Sequence, residues 1–146
     1  MELIHIIYAS TPKEDFTESC ILQMLPAIRE NNHRLNVTGM LLYTGNSFLQ
    51  VLEGESTVVQ NIYTVINSDS RHQDITLIIK EPIFKRDFQD WSMGFSSISA
   101  EHSTSIPGLN DFFLSGTSLT KLDMGRAKKI LQAFTKGLWQ NSIVNT

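Results

Sequence analysis

The chain has 146 residues, 41% of them apolar, and a formal net charge of −3. That length suffices for one domain with a buried core, and the acidic balance argues against a broad nucleic-acid surface. The single cysteine, Cys20, excludes an internal disulfide and suits a reducing compartment. The opening MELIHIIYAS has neither a basic start nor a long apolar run, so no secretory leader is expected. Nowhere do about 18 apolar residues run together, so no membrane span is expected. The expectation is a soluble cytoplasmic protein.

Leu3 to Ala9 is a short apolar run ended by Ser10-Thr11-Pro12, which predicts a first strand with Ile4, Ile6 and Tyr8 on one face. Thr17 is placed to cap a helix, with Glu18 in its first turn. Ile21, Met24, Leu25 and Ile28 follow at helical spacing. Pro26 falls inside that helix, where it removes one backbone bond and is expected to kink it. Val37–Tyr43 and Phe48–Glu53 read as two strands joined by the turn Thr44-Gly45-Asn46-Ser47. Ser56 is placed to cap a second helix, whose apolar positions are Val58, Val59, Ile62, Val65 and Ile66. A further strand is predicted over Ile75–Ile79, interrupted or ended by Glu81-Pro82. A last one is predicted over Trp91–Phe95, with Trp91, Met93 and Phe95 on one face.

The order β-α-β-β-α-β with one added strand is the ferredoxin-like pattern. An α+β fold follows, with both helices on one face of a mixed sheet. Residues 1–96 form the predicted domain, and residues 97–146 a linker and C-terminal helical extension. The linker runs over the polar stretch 96–105. A short helix is expected over Pro107–Leu114, and a longer one after the capping sequence Thr120-Lys121-Leu122-Asp123. Ala127, Ile130, Leu131, Phe134 and Leu138 form its stripe.

Four residues with polar groups sit where apolar ones are expected. Gln50 shares a strand face with Phe48 and Leu52. Its amide brings two N–H donors and a carbonyl acceptor, and each buried group left unpaired costs about 1–3 kcal/mol. Asn31 and Asn32 extend the apolar stripe of the first helix. Either could simply end the helix, but with one of the two facing inward a ligand becomes competitive. An asparagine amide matches the N–H/C=O edge of an imide. Tyr8 lies on an apolar strand face and, if its strand neighbours that of Gln50, can pair with it; as a core tyrosine it could equally bond a backbone carbonyl. The histidines His5, His33, His72 and His102 show no ligand spacing, so no metal is expected. There is no glycine-rich phosphate loop and no G-x-S-x-G motif. Cys20, within the first helix, reads as a small buried residue, and Asp69, Arg71 and His72 as a solvated helix end.

Taken together, these residues resemble the BLUF family, the blue-light sensors using flavin. The resemblance covers roughly the first two-thirds of the chain. It rests on Tyr8, Asn31-Asn32, the run Thr38-Gly39-Met40-Leu41-Leu42-Tyr43, and Phe48-Leu49-Gln50-Val51-Leu52-Glu53-Gly54-Glu55. Asp69 with Arg71-His72 and the triplet Trp91-Ser92-Met93 complete it. The resemblance implies a flavin, FAD or FMN, held between the two helices and against the sheet. It implies cofactor-binding roles for Tyr8, Met24, Ile28, Asn31, Asn32, Phe48, Gln50, Arg71 and His72. Tyr8 would be the light-driven electron and proton donor, and Gln50 the bridge whose amide rearranges. Trp91 and Met93 would pass the change to the surface. The implied output is a light-dependent protein partner or a change in the protein's own homo-oligomeric state, without enzymatic activity and without binding nucleic acid or membrane.

Two other classes compete on the residues alone. An acylphosphatase-like hydrolase would need an anion cradle with an arginine near the first β–α loop. Ser10-Thr11-Pro12-Lys13-Glu14-Asp15 offers neither an arginine nor a glycine-rich turn. A ligand-sensing regulatory module without photochemistry explains a pocket, but not Tyr8, Gln50 and Asn32 together.

Overall fold

The computed structural model describes residues 2–44, 47–97, 124, 125, 128, 143 and 144. Its elements are β1 (Leu3–Pro12), α1 (Glu18–Arg34), β2 (Thr38–Tyr43), β3 (Phe48–Glu55), α2 (Ser56–Asn67), β4 (His72–Pro82), β5 (Gly94–Ser97) and β6 (Ile143–Val144). They build one six-stranded sheet in the order β4-β1-β3-β2-β5-β6. Every pairing is antiparallel except β2 with β5, which is parallel. The α+β architecture and the β-α-β-β-α-β core are those expected from the sequence.

Strand phase sorts the sheet into two faces. Ile4, Ile6, Tyr8, Leu41, Phe48, Leu52, Met93 and Phe95 point inward and join Ile21 and Leu25 of α1 and Val59 of α2 in one buried cluster. Gly54 allows α2 to sit close to β3, because a Cβ there would come within 3.0 Å of Val59 Cγ2. No helix among the described residues is long and apolar enough to cross a membrane.

Several local expectations are corrected. Helix α1 continues through Pro26 and past Asn31 and Asn32 to Arg34. It ends at Leu35 and Asn36, the latter in the left-handed region with φ 57°, a conformation asparagine tolerates. Thr17 holds the N-cap position but its side chain makes no capping bond. The cap of α2 is Glu55, not Ser56: its carboxylate accepts from the N–H groups of Thr57 and Val58, each at 3.2 Å. A carboxylate also suits the positive end of the helix dipole. Strand β4 starts at His72, three residues before the expected Ile75, and ends at Pro82 as the Glu81-Pro82 pair predicts, the absent N–H mattering least at a final position.

The last predicted strand starts three residues late. Trp91 precedes β5 and does not share a face with Met93 and Phe95. Its ring lies over Gly94, where a Cβ would come within 2.6 Å of it, and stacks on Phe88 with ring centres 5.5 Å apart. Strand β6 was not foreseen. Met124, Gly125 and Lys128 are helical. The predicted linker beyond Ser97, the short helix, the capping sequence and the stripe Ala127–Leu138 lie outside the described residues.

Candidate functional site

Between α1, α2 and the inner face of the sheet lies a cavity of about 590 Å³, within the roughly 300–1,000 Å³ usual for small-molecule sites. Ile21, Met24, Ile28 and Leu35 form one wall, and Val58, Ile62, Val65 and Ile66 the other. Leu41, Phe48 and Leu52 form the floor, with Phe16 at the side. Polar groups enter this apolar chamber at a few points only: Tyr8 and Gln50 from the floor, Asn31 and Asn32 from α1, Asn61 from α2, and Asp69, Arg71 and His72 near the start of β4. A more polar depression of about 830 Å³ lies against the other side of α1, lined among others by Arg29, Glu30, His33 and Asp90. Its polar groups do not surround an apolar chamber, so the first cavity is the better candidate for a flat organic ligand.

The floor chemistry follows from register. Tyr8 of β1 lies directly opposite Gln50 of β3, and opposed residues share a face. Tyr8 donates its hydroxyl proton to Gln50 Oε1. Gln50 Nε2 donates to Met93 Sδ at 3.5 Å, a weak acceptor. Tyr8 is 4% exposed and Gln50 6%, and burial pushes the Tyr8 phenol well above its ordinary range, with Tyr63 and Asp69 adding to the effect. The phenol therefore stays neutral and keeps its proton.

Of the two asparagines, Asn32 faces inward and Asn31 is exposed at the rim. Asn32 Nδ2 donates to the Ser92 carbonyl at 2.8 Å. One turn earlier, Arg29 Nε donates to the Met93 carbonyl at 2.8 Å. Helix α1 thus grips two successive carbonyls just ahead of β5. Asn31 accepts a bond from Arg34.

His72 ties three elements together. Its Nε2 meets the Ile66 carbonyl at 2.8 Å and its Nδ1 meets Ser10 Oγ at 2.8 Å. A carbonyl only accepts, so Nε2 carries the proton, and in the neutral ring Nδ1 accepts from Ser10. The imidazole stands edge-on to Tyr8 at 6.4 Å. Arg71 is half-exposed, forks onto Asp69 through Nε at 2.9 and 3.1 Å, and lies 5.7 Å above the Phe16 ring. That pairing holds the Asp69 carboxyl down to about 2.

All nine residues singled out as cofactor-binding, namely Tyr8, Met24, Ile28, Asn31, Asn32, Phe48, Gln50, Arg71 and His72, line this one cavity. Met93 touches its floor through Gln50, whereas Trp91 stands apart from it, against Phe88. Sequence reasoning missed the contributions of Arg29 and Asn61 and the Ser92 carbonyl. It gave the stripe Val58, Ile62, Val65 and Ile66 to α2 but not to a ligand wall. Apolar walls with amide and hydroxyl groups at the edges fit a flat aromatic ring system with a polar rim, as a flavin has. No group of three or more histidine, cysteine or acidic side chains suited to a metal occurs among the described residues.

Comparison with known proteins agrees with this chemistry. Residues 3–94 match the family described as sensors of blue-light using FAD, BLUF. The dark-state structure of the BLUF protein BlrB is 31% identical, with a TM-score of 0.75, covering 93% of this chain and 97% of that one. The ground-state structure of BlsA is 27% identical, with a TM-score of 0.76, covering 91% and 87%. Photoactivated adenylate cyclase subunit beta of Euglena longa is 28% identical over 137 residues, 92% of this chain; the chain spans only 15% of that protein's length. The blue light- and temperature-regulated antirepressor BluF of Escherichia coli (strain K12) is 35% identical over 77 residues, which is 53% of this chain and 19% of BluF. On its fold, its cavity and these matches, the chain belongs to the BLUF family, the flavin-binding sensors of blue light.

Proposed function

We propose that the cavity between α1 and α2 holds the isoalloxazine ring of the flavin, and that Tyr8 and Gln50 convert light absorption into a hydrogen-bond rearrangement. The observation that carries this reading is the pair itself: a buried, neutral phenol donating to an amide whose other end rests on a weak sulphur acceptor. A bound flavin supplies the absorption of blue light and an excited acceptor for an electron and a proton. Tyr8 is the donor of both, and Asn32, with Asn31 beside it, engages the polar edge of the ring. Met24, Ile28 and Phe48 exclude water from its faces. Arg71 and His72 bound the opposite end, Arg71 already pre-set by Asp69 and His72 by Ser10 and Ile66.

The amide of Gln50 makes the switch. In this structure it shows its carbonyl to Tyr8 and its NH₂ to Met93. Rotation or tautomerisation exchanges donor for acceptor at both ends without moving the backbone. The contact to Met93 then changes from donor–acceptor to acceptor–acceptor and is lost. Met93 lies just ahead of β5 in the segment that also bears Trp91, so the change leaves the cavity along that segment. The original orientation of the Gln50 amide returns thermally. Nothing is consumed, and the output is a signal rather than a turnover.

We take the flavin to be FAD, which the family description names, with release and chromatography of the bound chromophore as the check. Residues 97–146 act as an output extension in this reading: Lys128 meets Glu81 on the outer edge of β4 at 3.4 Å. The receiver is a partner protein or a second copy of the chain, and comparison of pull-downs and of sedimentation in light and dark separates the two.

The visible spectrum of the purified protein tests the proposal. A yellow protein whose flavin band moves to the red under blue light, and returns in the dark, is expected. A protein that stays colourless when supplied with flavin contradicts it.

A further inference from the structure

One buried acid takes no part in the cavity. Glu53 lies on β3 three residues after Gln50 and points to the opposite face of the sheet. It is 0% exposed. Its Oε1 accepts from the Thr38 hydroxyl at 2.8 Å and the Phe88 N–H at 3.0 Å, and its Oε2 accepts from the Asp87 N–H at 2.6 Å. Arg86 completes the arrangement by donating to Thr38 Oγ1 at 2.9 Å and to the Glu53 main-chain carbonyl at 3.2 Å. A buried carboxylate is tolerated only with such partners. Two of its three donors are backbone groups of the β4–β5 connection, residues 83–93.

That connection ends at the signalling residues. Phe88, held through its N–H by Glu53, is buried and stacks on Trp91. The Trp91 N–H donates to the Phe88 carbonyl at 3.0 Å, and the Trp91 carbonyl accepts from the Gly39 N–H at 3.0 Å. Ser92 and Met93 follow, the latter with its sulphur on Gln50. Strand β3 thus carries the rearranging amide inward and the anchor of its downstream contact outward. We infer that Glu53 is a positioning residue, which fixes residues 87–91 and so sets Met93 Sδ against Gln50. The inference rests on the proposed role of Gln50.

The Gln50–Met93 contact exists only in the orientation found here, so it favours return to this state. Loosening the anchor should slow dark recovery while leaving flavin binding and the red shift in place. In Glu53→Gln one carboxylate oxygen becomes an NH₂. It keeps an acceptor for Thr38 and Phe88, but turns a donor toward the Asp87 N–H. Recovery of the 146-residue Glu53→Gln protein is expected to slow roughly fivefold, the rate equivalent of one lost hydrogen bond. A merely structural role would lower the melting temperature without changing recovery in the folded fraction. Recovery at the wild-type rate, or faster, overturns the inference. Absence of a photocycle in the wild type would instead overturn the parent reading. Should Glu53→Gln not fold, hydrogen exchange of the wild type decides. The Asp87 and Phe88 amides should exchange as slowly as sheet amides and far more slowly than Lys85 and Gln89. Exchange at the same rate as those neighbours overturns the anchor.

Discussion

The two faces of the same strands handle buried polar groups in opposite ways. On the inner face, Tyr8, Gln50 and Leu41 stand opposite one another across β1, β3 and β2. On the outer face, His5, Glu53 and Thr38 form a parallel row across the same strands, and Glu81 of β4 extends it beyond His5. The outer row is closed at Glu53, whose carboxylate receives three donors; beside it His5 Nε2 meets Glu81 at 3.0 Å, while its buried Nδ1 has no partner among the described residues. The inner row is open: Gln50 has one good partner and one weak one, beside a cavity. A saturated network has one arrangement and gives rigidity. An undersatisfied one next to a ligand has two, and can switch.

Changes on the inner face should therefore abolish the light response at small cost in stability, and changes on the outer face should do the reverse. The largest effect on the response is expected from Tyr8→Phe. It removes the proposed electron and proton donor while preserving the ring's packing, so the red-shifted state should vanish from the light-minus-dark absorption spectrum. It also leaves Gln50 Oε1 without its donor, a loss of about 1–2 kcal/mol. The largest effect on stability is expected from Glu53→Ala. Two amides and one hydroxyl lose their acceptor in a buried place, which should lower unfolding free energy by about 2–4 kcal/mol in urea titration. An equal stability loss in both variants would erase the contrast between the faces.

A smaller effect separates the faces by pH. Asp69, at the cavity mouth, has its folded pKa depressed to about 2 from 3.8, chiefly by the hydrogen bond from Arg71. Its contribution is complete above 3.8 and is lost as pH falls toward about 2. Glu53 is shifted the other way: desolvation raises it above 4.5, only partly offset by its donors. Its contribution is complete below 4.5 and is lost as pH rises through the folded value. Melting temperatures across acid pH should show Asp69→Asn flattening the fall at the lowest pH. Glu53→Gln should remove the opposing loss above it. Identical pH profiles in the two variants would contradict these assignments.

Much of the inner face was legible in the sequence. Period-two runs place Tyr8, Phe48 and Gln50, and the helical stripe leads to Asn32, because a buried face leaves a phase in the residue order. The outer anchor was not. Besides the Thr38 hydroxyl, Glu53 is held by the N–H groups of Asp87 and Phe88, more than thirty residues away, and backbone donors have no residue signature. The position of Trp91 was misread for a related reason. Period two fits Trp91, Met93 and Phe95, but the Trp91 carbonyl is taken by Gly39 and its ring by Phe88 and Gly94. These contacts hold it outside the ladder. Glu55 outcompeted Ser56 as the cap of α2 because its longer side chain reaches two amides at once.

The central claim is that the Gln50 amide is the switch, and the blue-light difference spectrum of Gln50→Ala loaded with flavin tests it most directly. The side chain is short enough to leave the ring site formed, so the variant should bind flavin, absorb blue light and show no reversible red shift, while the wild type beside it does. A Gln50→Ala protein with the wild-type shift and the wild-type recovery would contradict the account.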